Sequence, residues 1–188
     1  MIVKRHKIPE MSMLKHEEPS FQYIDSFESP YLSVGAGFDL VRIGKMFLSG
    51  GPKWADTLMS IRDKAVGIFG LKTSNLLTAE EKNPDHFKFI PGEQLDIFKL
   101  FDRTENELIM GGDDKHLNLK VSLLIDAQNH GSDKKKIIIT TAVHFNHVFG
   151  RLYFLPVKPF HQMIVKKTLQ NMIREIEQEN TSQNQKSL

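Results

Sequence analysis

No cysteine occurs among the 188 residues, which excludes disulfides and thiolate metal sites but leaves the redox compartment open. No stretch approaches the ~20 apolar residues that a membrane-spanning helix requires. The first residues, Met-Ile-Val-Lys-Arg-His-Lys-Ile-Pro, are basic but lack the apolar run of a secretory signal, so a cytoplasmic location is expected. Charge of one sign is scarce too: 25 basic against 23 acidic side chains give a net charge of +2. No basic stripe of the kind nucleic acid requires is visible, and the three lysines at 134–136 read as a solvated charge run at a hairpin tip. His144 and His147 are three apart, a spacing that points them to opposite faces of a strand, and no His-Glu-x-x-His occurs. Gly35-Ala-Gly37 is far short of a dinucleotide-binding fingerprint. No metal and no cofactor is expected, and the absence of any catalytic signature points away from an enzyme.

What is present is a long patterned run from about 115 to 178. Leu117, Leu119, Val121, Leu123 and Ile125 alternate with Asn118, Lys120, Ser122 and Leu124, the period of a strand with one buried face. Ile137, Ile139, Thr141, Val143 and Phe145 repeat the pattern over 137–147, opposite Ile138, Thr140, Ala142, His144 and Asn146. A turn-forming stretch at 127–133 joins the two into a hairpin, with Leu123 beside Ile139, Leu119 beside Val143 and Leu117 beside Phe145. Gly150 then turns the chain into a third strand at 151–155, ended by Pro156 and Pro159. A helix from about Phe160 carries Val165, Leu169, Met172, Ile173 and Ile176 on one face. Phe160, Met163 and Ile164 lie opposite, which predicts a first turn enclosed more completely than the helix's end.

Earlier in the chain, residues 1–19 form an arm and 21–27 a first strand. A short helix follows at 38–48, with Asp39 in its first turn, where the dipole favours a carboxylate. Pro52 and Gly70 bracket a second helix with Trp54, Leu58, Ile61, Ala65 and Ile68 in one arc. Strands are expected at 95–101 and 107–110, and a turn at 111–115. One domain over 20–178 and a polar tail at 179–188 complete the division, since folding a chain this long buries roughly 70% of its extended surface. The class is α+β: an antiparallel sheet gripping a long C-terminal helix, with two shorter helices between the first strand and the meander.

Several short motifs recur in order: Pro-x-Trp at 52–54, Leu-Met-x-Ile-Arg-Asp at 58–63, Gly-Gly-Asp-Asp-Lys-His-Leu at 111–117, Gly-Arg-Leu-Tyr at 150–153 and Lys-Pro-Phe-His at 158–161. They resemble a bacterial family known only as a domain of unknown function and grouped with the Bet v 1/START-like (SRPBCC, helix-grip) superfamily. The resemblance covers about 21–172. It implies a curved sheet around the terminal helix, and, because some members are fused to short-chain-dehydrogenase-like domains, an association with an oxidoreductase.

Three functional readings follow. The first places a small apolar or amphipathic ligand between sheet and helix, lined by Leu119, Val121, Leu123, Ile139, Val143, Phe145, Phe154, Phe160 and Ile164. Trp54 could join that lining, although a lone Trp at a helix start is more often core. His161, or an inward Arg151, would meet a ligand carboxylate at the mouth. The second reading is a non-catalytic interaction module serving an oxidoreductase partner. The third, weaker one is an enzyme using a polar cluster on the even face of the sheet. There Asn146 would sit between His116 and Arg151, and His144 between Asn118 and Tyr153; that face is otherwise read as turned to solvent.

Overall fold

The computed structural model of the chain describes residues 1–35, 37–52, 87–95, 98–127 and 133–186. The expected helix with Trp54, and the motifs at 52–54 and 58–63 beyond Pro52, lie outside the described residues. Among the described residues eight strands form one sheet: β1 (Val3–Arg5), β2 (Tyr23–Glu28), β3 (Leu32–Ser33), β4 (Gln94–Leu95), β5 (Phe98–Arg103), β6 (Glu107–Asp113), β7 (Leu117–Ala127) and β8 (Lys134–Phe145). Their spatial order is β1-β2-β8-β7-β6-β5-β4, with β3 also pairing β8, and every pairing is antiparallel. The described residues also form helices α1 (Leu40–Ser49) and α2 (Val148–Lys186) and a 3-10 segment at Met13–Ser20. The class is thus α+β, and the long C-terminal helix against an antiparallel sheet is consistent with a helix-grip arrangement.

The β7–β8 hairpin has the register that alternation dictates: Leu117 faces Phe145, Leu119 faces Val143 and Leu123 faces Ile139. One face of the sheet carries Val121, Leu123, Ile125, Ile137 and Ile139 into the main core, where they meet Leu40, Ile43 and Met46 of α1 and Val165, Leu169, Met172 and Ile176 of α2. Asp39 caps α1, its carboxylate accepting from the Arg42 amide at 2.9 Å. Gly44 lets the Phe89 ring lie directly on the helix, because a Cβ there would collide with that ring.

Three expectations are corrected. Residues 151–155 are not a third strand but the second turn of α2, which continues through Pro156 and Pro159. The helical spacing of Phe154, Val157, His161 and Val165 puts them on the sheet, and that burial outweighs the hydrogen bonds the two prolines cannot make. Gly150 fits this start for a different reason than a turn, since a Cβ there would meet the backbone carbonyl of His116. At its other end α2 runs on to Lys186, past the expected end near 178, held by an Arg42–Glu179 ion pair and by the Asn180 amide donating to the Ser33 carbonyl at 2.6 Å. Finally, Phe160 and Met163 are not enclosed but exposed.

The second face of the sheet is likewise not simply solvated. Residues 8–20 lie across it, burying Ile8 and Leu14 against Ile109 and Ala142, with Ser122 and Thr140 fully buried. Glu107, almost fully buried, holds this cover down: it accepts from the Ser12 hydroxyl (2.5 Å), the Met13 amide (2.6 Å) and the Ser122 hydroxyl. Three donors satisfy a carboxylate that would otherwise be costly to bury. Lys120 adds an ion pair to Glu17 at 2.6 Å.

Two outcomes are expected. Leu169→Ala, at a fully buried site, costs about 2–5 kcal/mol in urea unfolding, while exposed Met163→Ala stays within about 0.5 kcal/mol; equal costs would contradict the packing of α2. Glu107→Ala leaves donors of two segments unpaired and costs about 1–3 kcal/mol. Hydrogen exchange at residues 8–20 should rise in that variant, and unchanged protection there would show that the cover is held by other means.

Candidate functional site

The inner face of β2 follows the alternation Tyr23, Asp25, Phe27, which pair with Val143, Thr141 and Ile139 of β8. Asp25 is therefore a carboxylate on the buried side of the sheet, and it is fully buried. α2 crosses this place with His161 and Gln162. The Tyr23 hydroxyl donates to Asp25 Oδ2 at 2.5 Å, and the Gln162 amide donates to the Tyr23 oxygen at 2.8 Å. His161 Nε2 is 3.0 Å from the Thr141 hydroxyl and 3.8 Å from Asp25 Oδ1. The latter is ion-pair range but too long for a hydrogen bond, and among the described residues Oδ1 has no hydrogen-bond partner. Phe154 closes the apolar side, 4.7 Å from the Tyr23 ring and 5.5 Å from Phe145, while Lys158 lies 5.2 Å over the Tyr23 ring.

The electrostatics follow from this geometry. Burial, the largest influence, pushes the Asp25 carboxyl up, but the His161 imidazole and the Tyr23 hydroxyl outweigh it and hold the carboxyl below its ordinary value. Burial first, and then donation to Asp25, push the Tyr23 phenol up, so Tyr23 stays a donor at any physiological pH. The cluster thus presents one unsatisfied acceptor, Oδ1, at the seam between β2, β8 and α2. A buried acceptor without a partner is rare enough to call for a donor from elsewhere.

Of the residues expected to line a cavity, Val121, Leu123 and Ile139 are in the main core with Leu119 against it, and Val143 and Phe154 form a second cluster with Phe145 and Tyr23. Ile164 is half-buried, Phe160 faces outward, and Trp54 lies outside the described residues. The depressions that stand out among the described residues are on the far end of α2. One of about 420 Å³ is lined by Arg42, Glu175, Gln178, Glu179 and Ser182, the other of about 510 Å³ by Arg174, Glu177, Gln178, Thr181 and Ser182.

The polar cluster on the other face is brought together in part. Asn118 pairs with His144, and the Asn146 amide donates to the His116 carbonyl and its side chain to Asn118 at 3.0 Å. His144 Nδ1 donates to the Ser20 carbonyl at 2.7 Å, a tie to the N-terminal cover. Arg151 and Tyr153 do not continue this grid, because they belong to α2. Among the described residues no group of three His, Asp or Glu side chains could hold a metal ion. Asp25, Tyr23, Thr141 and Gln162 were not singled out by sequence reasoning. The signal was there for one of them: Asp25 falls in the apolar series Phe21, Tyr23, Phe27.

A depressed carboxyl pKa stabilises the fold above the unfolded value of about 3.9, and that contribution is lost as pH falls through the folded value. Replacing His161 with Ala removes much of what opposes burial, so the Asp25 carboxyl should titrate at higher pH than in the wild type. The stability gap between the two proteins should be present at neutral pH and narrow below about pH 4. Carbon-13 titration of Asp25 and urea unfolding across pH 3–7 read both; an unmoved Asp25 titration would uncouple the pair.

A family model matches residues 18–168, and its description is "Protein of unknown function (DUF2867)". No curated protein and no solved structure matches the chain. The matched span takes in β2 through the first half of α2, including every member of the Asp25 cluster, and the chain belongs to the DUF2867 family.

Proposed function

We propose that this chain binds a small ligand at the Asp25 seam and that the ligand brings a hydrogen-bond donor, a hydroxyl or an ammonium group, to Asp25 Oδ1. The observation that carries the reading is the fully buried Asp25 Oδ1, a carboxylate oxygen with no hydrogen-bond partner among the described residues. The resemblance to the START-like superfamily supports it as a fold-level analogy, since such folds hold ligands between sheet and C-terminal helix.

Charge sets the ligand class. An anionic head group at this seam would face the Asp25 carboxylate, and His161 is already engaged with Thr141 and Asp25. A carboxylate ligand met by His161 or Arg151 is therefore replaced in this reading by a donor-bearing one, and Arg151 sits on the exposed flank of α2. Phe154, Phe145 and Val143 would contact the apolar body. Half-buried His161 and Gln162 form the side from which a ligand would enter.

The test uses three ligands of one chain length, hexylamine, hexanol and hexanoate, titrated by NMR into wild type and Asp25→Asn. A hydrogen bond to a charged acceptor contributes about 1.5–3 kcal/mol, so the amine should lose roughly 10- to 100-fold in affinity in the variant. The wild type should rank amine and alcohol above carboxylate. Hexanoate binding best, or an amine affinity unchanged by Asp25→Asn, would exclude Asp25 as the ligand's partner.

A further inference from the structure

Among the described residues, the outward side of the first half of α2 takes no part in the core. At about 100° per residue, Val148, Phe149, Leu152, Leu155, Phe160 and Met163 fall within an arc of about 140°. All six are exposed, from 46% at Phe160 to 72% at Val148 and Phe149. The opposite arc carries Phe154, Val165, Thr168 and Leu169, all buried, so packing on the sheet fixes the stripe facing outward. A contiguous exposed apolar surface of this kind marks an interaction site rather than ordinary scatter.

Charge identifies what it meets. From 148 to 174 the helix carries Arg151, Lys158, Lys166, Lys167 and Arg174 and no Asp or Glu; its first acid is Glu175. Arg151 and Lys158 flank the stripe on one side, while Lys166 and Arg174 continue its arc toward the C-terminus, and all four are exposed. The β6–β7 turn beside Gly150 adds Asp113, Asp114 and Lys115, which leaves cations in excess. An apolar stripe bordered by cations and free of acids over about seven turns complements an anionic lipid surface. There the side chains enter the headgroup boundary and the cations meet the phosphates. An apolar groove on another protein would accept the stripe but would not require the absence of acids.

We propose that the N-terminal half of α2 seats this protein on anionic membranes, lying in the interface with its axis parallel to the surface. The helix does not cross: among the described residues none is long and apolar enough to do so. The inference stands on the outer face of α2 and is independent of the Asp25 seam.

The experiment is flotation of the full chain with phosphatidylcholine vesicles, alone or with phosphatidylglycerol at roughly one-third, alongside sedimentation velocity without lipid. The wild type should float with the mixed vesicles only and be released by high salt. Leu152→Ser with Leu155→Ser, and separately Lys166→Glu with Lys167→Glu, should each weaken partitioning about tenfold or more while thermal unfolding is unchanged. Equal binding to both vesicle types, or none to either, overturns the proposal. So does a dimer in sedimentation that Leu152→Ser dissolves without any flotation, since a second copy would then cover the stripe.

Discussion

Eleven residue pairs, from Leu117–Phe145 to Ala127–Lys135, lock β7 to β8, and their register decides which side chains go to which face of the whole sheet. A slip of one residue would send either Val121 and Leu123 of β7 or Ile137 and Ile139 of β8 to the face that now holds Ser122 and Thr140. β6 pairs along β7 and β2 along β8, so each inherits the same assignment. Through β2 that register carries Asp25 beneath α2, and through β6 it carries Glu107 to the opposite face.

Both faces then had to be covered, and the chain covers them by different means. Helices α1 and α2 close one with ordinary apolar packing, in which a buried leucine such as Leu169 contributes about 1.5–3 kcal/mol. The other is closed by a short irregular segment with few apolar contacts, made up for by the donors converging on Glu107 and by the Lys120–Glu17 pair. The buried carboxylates of Glu107 and Asp25 differ in one respect. Glu107 has a donor on each oxygen, whereas Asp25 has one oxygen satisfied and one open.

The hairpin was readable because nine residues of strict alternation leave a single solution. Residues 151–155 were not, because five mostly apolar residues fit a strand or a helix equally, and the deciding period of Phe154, Val157, His161 and Val165 runs across two prolines that locally argue for a break. The Asp25 carboxylate could be placed on the inner face by counting, with its donor Tyr23 two residues away, yet Thr141, His161 and Gln162 come from β8 and α2, far along the chain. The cover over the second face left no periodic trace at all. Its 3-10 geometry has no long apolar repeat, and nothing local ties Ser12 to Glu107.

The 95 residues between Ser12 and Glu107 also order events in time. Residues 8–20 are made well before their anchoring carboxylate, and the strand that β2 joins comes later still. Residues 1–28 can pair only with themselves, β1 along β2, until the β6–β8 meander exists, and a β8 that β2 has not yet joined presents an open edge with its backbone groups free to pair. Residues 1–28, made before the strands that hold them, are thus among the last to find their place. Early exposure to another nascent copy would meet that edge before the protein's own β2 could occupy it.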